Sequence, residues 1–365
     1  MPLRDTDGGV KRVCLAVTSL RAGDGGIARV ARLMGRALAG EVARGAAQLQ
    51  AIGLNDRSAA SDLGFPLTAA RGSRLRFTAA VQAAALRSTH FLYDSLAMAR
   101  AHNRLPLLTR PLLAWLHGIE VWEDAPPDRL ITARRAQVLL ANSRYTRERA
   151  ERLHGGFARA RVCWLGTETD ELPATARGSS GPPTVLMVGR LESGRDKGHR
   201  ALIDCWPAVV DAVGDARLLI AGGGTDFDAL SQHAAASRAA GRIELHGFVP
   251  ESAIDTLWAE ATVFAMPSRG EGFGLVYVEA MRHALPVIAS VHDAACEINV
   301  DGETGYNVDL DRQGDLTERI IHLLRARDVA ARLGANGQQC WQRDFRFTAF
   351  RDRFLPLVAE FLSTH

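Results

Sequence analysis

Lysine is almost missing from this chain: of 44 basic residues only Lys11 and Lys197 are lysine, and the rest are arginine. Where such a sequence keeps a lysine, the position calls for a compact, rotatable ammonium and not the planar fork of a guanidinium. Cysteine is scarce as well. Cys14, Cys163, Cys205, Cys296 and Cys340 are odd in number, widely spaced and without a Cys-x-x-Cys pair, which argues against a disulfide framework or a zinc site and fits a reducing cytosol. No apolar run approaches the length that a bilayer span needs. Met1 to Lys11 carries charges of both signs and leads into only the short run Val13 to Val17, unlike a signal peptide. Also lacking is a clear Gly-x-Gly-x-x-Gly turn with an acidic residue about twenty positions on, which counts against a nicotinamide-dependent oxidoreductase. These absences lead us to expect a cytoplasmic chain, peripheral on the inner face of the membrane if it meets a bilayer at all.

What is present suffices for two domains. The chain has 365 residues, 47% of them hydrophobic, enough for two cores. Its halves differ in charge: residues 1–180 hold 26 basic and 16 acidic residues, 26 − 16 = +10, and residues 181–365 hold 18 and 25, 18 − 25 = −7. A basic N-terminal half suits an acidic partner surface, nucleic acid or anionic membrane. The alternative is an arginine-rich composition that fell unevenly.

The most informative stretch is Thr262 to Ser290. Thr262-Val-Phe-Ala-Met266 reads as a buried parallel strand closed by Pro267 and Ser268, and Pro286-Val-Ile-Ala289 as another. Between them a Gly-rich loop, Gly270 to Gly274, precedes a helix from about Leu275 to Ala284. The free N–H groups and positive dipole end of that helix form an anion site. Two carboxylates stand there nonetheless, Glu271 in the loop and Glu279 just over one turn into the helix. A ligand with both phosphate and vicinal hydroxyls, such as a nucleotide sugar, accounts for the combination: amides take the phosphate and carboxylates take the hydroxyls. Taken singly, the two acids read as a loop-tip charge and a solvated helix residue.

Elsewhere the order is strand, turn, helix. Val13 to Val17 runs into Gly23-Asp-Gly25-Gly26 and a helix to about Ala43, the opening of a doubly wound unit. Ser73 to Leu86, with Arg74, Arg76 and Arg87, reads as an outer helix or as a basic amphipathic face for lipid headgroups. Leu112 to Leu116 is a strand that delivers His117 and Gly118 at its carboxyl end, where Gly118 leaves room for a ligand. Ser143 caps a helix from Arg144 to Leu153 whose arginines go all round, a solvated face and not a nucleic-acid reader. Linker residues from Pro173 to Pro183 mark a domain boundary. A second series follows: Thr184 to Val188 leads to Gly189-Arg190 and Lys197, a pair suited to a diphosphate; then come strands at Ala216 to Ile220 and Arg242 to His246. Phe350, Phe354, Leu355, Val358 and Phe361 line one face of a final helix.

The Glu271-Gly-Phe-Gly-Leu275, Glu279-Ala280 and Pro286-Val-Ile-Ala289 pattern resembles the signature of retaining glycosyltransferases of the GT-B fold, family four, also called glycosyl transferases group 1. The resemblance implies an α/β architecture of two Rossmann-like doubly wound domains facing a central cleft: residues 1–172 on the acceptor side, 183–344 for the nucleotide sugar, and a last helix, 345–365, returning to the first. It implies that Glu271 meets the transferred sugar, Glu279 the ribose, and the Phe273, Gly274 and Leu275 backbone the sugar and diphosphate. By the same resemblance Arg190 and Lys197 stabilise the departing diphosphate, with Arg195 in contention because the spacing is one residue longer than the commonest form. Val249 meets the base, Gly25 and Gly26 approach the donor sugar, and His117 is the first domain's histidine near the reacting region. Asp226-Phe-Asp228 and Asp309-Leu-Asp311 have the Asp-x-Asp form of metal-dependent transferases of another fold, but the first opens a helix and neither has accompanying metal-type residues, so no metal and no cofactor are expected. The expected partners are a nucleoside diphosphate sugar, a glycan or lipid-linked acceptor of the kind extended in cell-surface polysaccharide or glycolipid synthesis, and an anionic membrane, with no nucleic acid. A nucleotide-sugar sensor, which never releases nucleoside diphosphate, and a sugar-nucleotide epimerase, which turns over without acceptor, are the alternatives on the same architecture.

Overall fold

A computed structural model describes residues 11–59, 62–103, 108–174, 181–192 and 197–363. The chain forms two compact units, one of residues 1–168 with 347–365 and one of residues 169–346. Arg195 lies outside the described residues.

The first unit holds β1 (Lys11–Val17), α1 (Gly26–Ala43), β2 (Ala47–Gly53), β3 (Leu67–Ala69), α2 (Arg74–Ala84), β4 (His90–Tyr93), α3 (Leu96–Ala99), β5 (Leu112–Leu116), α4 (Pro127–Arg135), β6 (Val138–Ala141), α5 (Arg144–His154) and β7 (Arg161–Val162). All strands pair in parallel, in the order β3-β2-β1-β4-β5-β6-β7. The central strands read as unbroken apolar runs because helices cover both sheet faces. Arg12 in β1 and the polar residues of β2 interrupt that pattern, and β2 to β4 gave no separate signal in the sequence.

The second unit holds β8 (Thr184–Val188), α6 (His199–Ala212), β9 (Arg217–Ala221), α7 (Phe227–Ala235), β10 (Ile243–Gly247), α8 (Glu251–Glu260), β11 (Val263–Ala265), α9 (Leu275–Arg282), β12 (Val287–Ser290), β13 (Gly305–Val308), α10 (Asp315–Arg325) and α11 (Arg327–Cys340). Its six strands are also parallel, in the order β10-β9-β8-β11-β12-β13. Each sheet therefore reverses direction once, between β1 and β4 and between β8 and β11. Ligands of open α/β sheets bind outside the carboxyl ends of the strands at such a reversal.

The last helix, α12 (Phe347–Leu362), belongs to the first unit. Phe350 and Phe354 are fully buried, with ring centroids 6.3 and 6.2 Å from Trp115 of β5. Each such aromatic contributes about 2–3 kcal/mol through buried area. Phe361 meets His90 edge-on at 5.1 Å. Where the first unit ends, Arg32 of α1 grips the Glu168 carboxylate with two nitrogens and Arg36 bonds its carbonyl. No helix among the described residues is long and apolar enough to cross a membrane.

Candidate active site

The reversal in the second sheet gathers the residues of interest. β8 ends at Val188 and hands the chain to Gly189 and Arg190; β11 ends at Ala265 and hands it to Met266, Pro267 and the Gly loop. Lys197 Nζ lies 2.5 Å from Glu271 Oε1, although 74 positions separate them in sequence (271 − 197 = 74). Their side chains keep 28% and 14% of their surface exposed, so the pair is sheltered without being sealed from solvent. The Lys197 stem lies over Gly189, where an added Cβ would come within 3.3 Å of its Cδ. Lys11, the other lysine, is a buried residue at the start of β1. Rarity alone did not separate the two; position does.

Two glycines make this meeting sterically feasible. Gly198 caps α6 at φ +95°, and a Cβ there would stand 2.5 Å from the Pro267 carbonyl oxygen. Gly274 caps α9 at φ +88°, where a Cβ would strike the Tyr277 ring at 2.3 Å. Both conformations disfavour L side chains, and neither site has room for one. The N-termini of α6 and α9 thus sit on the loops that carry Lys197 and Glu271, with no acidic residue in either first turn. The N-terminal ends of those helices add positive potential.

The other expected residues of this unit divide by orientation. Arg190 is largely exposed and pairs with its neighbour Glu192 at 2.7 Å. Glu279 is half-buried on α9. Phe273 is buried, its ring 6.2 Å from Phe345, so its side chain belongs to the core. Leu275 opens α9 and is half-buried. Val249 is half-buried in the turn after β10, beside Phe248, which is 72% exposed.

Two features of this unit escaped sequence reasoning. The first is Asp293, 3% exposed in the turn after β12. Its two oxygens accept from the Glu271 N–H at 3.0 Å and the Ala295 N–H at 2.9 Å. The Ala294 N–H returns a bond to the Glu271 carbonyl at 3.2 Å. Burial pushes the Asp293 carboxyl up to about 7, opposed by its backbone donors and reinforced by the Glu271 charge. Nothing in sequence marks one aspartate after a strand as distinctive. The second is His292, which joins Asp309 and Asp311 in one cluster. The expectation that this Asp-x-Asp has no metal-type companion therefore fails, because the companion comes from another strand end. The cluster has its own internal bonding: His292 Nε2 accepts the Leu310 N–H at 3.2 Å, and Asp311 pairs with Arg269 at 2.5 Å. Asp226 does occupy the N-cap of α7, but its side chain makes no capping bond.

In the first unit, His117 follows β5 and is half-buried, stacked 6.4 Å from Trp115. Its Nε2 donates to the Asp94 carbonyl at 2.5 Å, which fixes the orientation of the ring. Asp94 itself, at the reversal between β1 and β4, is wholly buried and accepts the Thr18 N–H at 2.6 Å. Gly118 makes room for Trp122 and not for a ligand: at φ +132°, a Cβ would lie 2.6 Å from that indole. Gly25 (φ +92°) and Gly26 open α1, with nothing within 4 Å of an added Cβ. Ser143 does cap α5, accepting the Thr146 N–H at 3.0 Å. The arginines of α5 are not all solvated, since Arg149 lies 4.5 Å over the Trp122 ring and bonds Glu123.

Comparison with known proteins places the chain by family and by fold. A family model described as "Glycosyl transferases group 1" matches residues 169–340. The GDP-mannose-dependent alpha-(1-6)-phosphatidylinositol monomannoside mannosyltransferase of Mycobacterium tuberculosis is 31% identical over 287 residues, 73% of each chain. The protein of that description from Mycolicibacterium smegmatis is 32% identical over 255 residues, 64% of this chain and 66% of that one. Among solved structures, sucrose-phosphate synthase from Thermosynechococcus elongatus superposes with a TM-score of 0.78 at 21% identity, over 96% of this chain and 98% of that one. A relative this similar over most of its length, with two parallel sheets of matching fold, establishes that the chain belongs to the glycosyl transferases group 1 family and is a glycosyltransferase of GT-B architecture.

Proposed function

We propose that this enzyme moves a hexose from a nucleoside diphosphate sugar to a hydroxyl of a lipid-linked or glycan acceptor, with retention at the anomeric carbon. The observation that carries this reading is the meeting of Lys197 and Glu271 at the strand-order reversal, between two helix N-termini. The anomeric C–O bond to the diphosphate breaks as positive charge grows on the sugar. Lys197, Arg190 and the amides at Gly274 stabilise the departing diphosphate. The acceptor oxygen bonds to the same face, and its proton passes to the leaving phosphate oxygen, so no protein base is assigned. Glu271 holds the sugar hydroxyls and Glu279 the ribose, while Val249, Phe273 and Leu275 offer backbone to the nucleotide. His117, Gly25 and Gly26 are assigned to the sugar from the first unit. The cationic role rests on side chains and amides, which makes the reading metal-independent. Family membership does not favour the oxidoreductase, sensor or epimerase alternatives.

The relatives' names make GDP-mannose and a phosphatidylinositol mannoside the first donor and acceptor to test. A lipid-linked acceptor also suits α2. Phe77, Val81 and Ala84 of that helix are buried, while Leu75 and Leu86 are 85% and 68% exposed among the exposed Arg71, Arg74, Arg76 and Arg87. Apolar side chains ringed by cations favour an anionic bilayer surface, and this supports a peripheral place on the cytoplasmic leaflet. The test is a panel of UDP-, GDP- and ADP-sugars screened for thermal stabilisation, then assayed for nucleoside diphosphate release with and without acceptor and with chelator. The reading predicts one preferred donor, acceptor-dependent release and no effect of chelator; stabilisation by none of them would overturn it.

A further inference from the structure

The loop that carries Glu271 is tied down from one side. Ser290 Oγ donates to the Ser268 carbonyl, and the Ser268 hydroxyl accepts the Gly270 N–H at 3.1 Å. Tyr277 OH donates to the Met266 carbonyl at 2.8 Å. At Glu271 itself both backbone groups are engaged by one turn: its N–H by the Asp293 carboxylate, its carbonyl by the Ala294 N–H. A buried carboxylate that accepts two amide N–H groups is a strong, directional clamp, and a glutamate whose backbone is fixed at both ends aims its side chain with little freedom.

We infer that Asp293 is the positioning residue of the transfer reaction, holding Glu271 at the angle from which it meets the donor sugar. The inference rests on the reading of Glu271 proposed above. Asp293 touches no substrate; it acts through the loop. The ionised carboxylate is the stronger acceptor at both oxygens, so the clamp loosens when Asp293 takes up a proton. Its midpoint of about 7 places that change in the physiological range. The groups facing Asp293 are Glu271 with its partner Lys197, the Ser268 hydroxyl, the Tyr277 phenol and the Cys296 thiol. Burial is the leading cause that pushes the phenol and the thiol upward, away from that range.

The test compares Asp293→Asn with Ala294→Pro, using the full chain. Asn preserves shape but presents an amino group to one of the two N–H donors. Pro removes the Ala294 N–H and leaves the Asp293 carboxylate in place. Asp293 is already extended, at φ −147° and ψ −164°, as a residue before proline requires, and proline suits the first position of the helical turn that follows. Both variants should lower kcat by about 10- to 100-fold, the cost of a misplaced catalytic group, with the donor KM changed less than about threefold. In Asp293→Asn the acid limb of kcat near pH 7 should vanish, and the Glu271 amide should exchange its hydrogen at least about tenfold faster while the β11 and β12 amides keep their protection. Unchanged kcat and an unchanged acid limb in both variants would overturn the positioning role, as would a Glu271 amide equally protected in all three proteins. A wild-type enzyme that transfers from no donor would instead overturn the reading of the site, and the exchange result would still decide whether Asp293 clamps the loop.

Discussion

The two sheets share one order over six strands, with β7 added to the first, yet they treat the carboxylate at the reversal in opposite ways. In the first unit Asp94 is wholly buried, bonded to the Thr18 N–H and the Ser95 hydroxyl, and burial raises its carboxyl to about 6. In the second unit Glu271 keeps some exposure and faces the Lys197 ammonium. Topology supplies the same crevice twice. What differs is the loop chemistry: at the first reversal the carboxylate bonds a backbone N–H and a hydroxyl of its own unit, and the second brings a cation to an acid. An α/β sheet therefore offers a position, and the loops decide whether it becomes structural or chemical.

The largest effect that would sharpen this contrast is on turnover. Lys197→Ala and Glu271→Ala should each lower kcat about a thousandfold in the preferred sugar-nucleotide assay, whereas Asp94→Asn should lower it less than about tenfold. Comparable losses in all three would break the contrast.

Next come the glycines. Gly274→Ala forces a Cβ into the Tyr277 ring from a left-handed backbone, a destabilisation of about 2 kcal/mol or more. Gly26→Ala meets nothing within 4 Å and should change stability by less than about 0.5 kcal/mol. Urea denaturation of the two variants checks the pair.

The third effect is on pH. Asp94 has a folded pKa of about 6, above its usual value of 3.8. The native state therefore binds more protons between those values, and stability falls as pH rises through them. Asp94→Asn removes that slope. In urea titrations the change in stability from pH 4.5 to pH 7.5 should be more favourable to the high-pH fold in the variant than in the wild type by on the order of 2 kcal/mol.

The smallest effect concerns α2. Replacing Arg74 and Arg76 by alanine should weaken sedimentation with anionic liposomes by about fivefold for each arginine, at about 1 kcal/mol per charge, and added salt should erase the difference. Arg217, an arginine of the second unit already paired with Glu244 at 2.9 Å, should matter little.

Much of this was legible beforehand because parallel strands buried on both faces leave apolar runs such as Leu112 to Leu116 and Thr184 to Val188, and because a glycine loop between strand and helix has few other uses. Lys197 stood out through its rarity. Asp293 and Asp94 did not, since single aspartates at strand ends look like any turn residue until the amides they accept are seen. His292 stayed hidden because its neighbours Asp309 and Asp311 arrive from the next strand. Gly118 misled: its missing side chain suggested space for a ligand, and Trp122 occupies that space.

The placement of α12 bears on how the protein is made. During synthesis the whole second unit leaves the ribosome while the first still lacks the helix that covers Trp115. The N-terminal sheet, although translated first, is then the last to close, and the nascent chain must carry an uncovered aromatic strand through that interval.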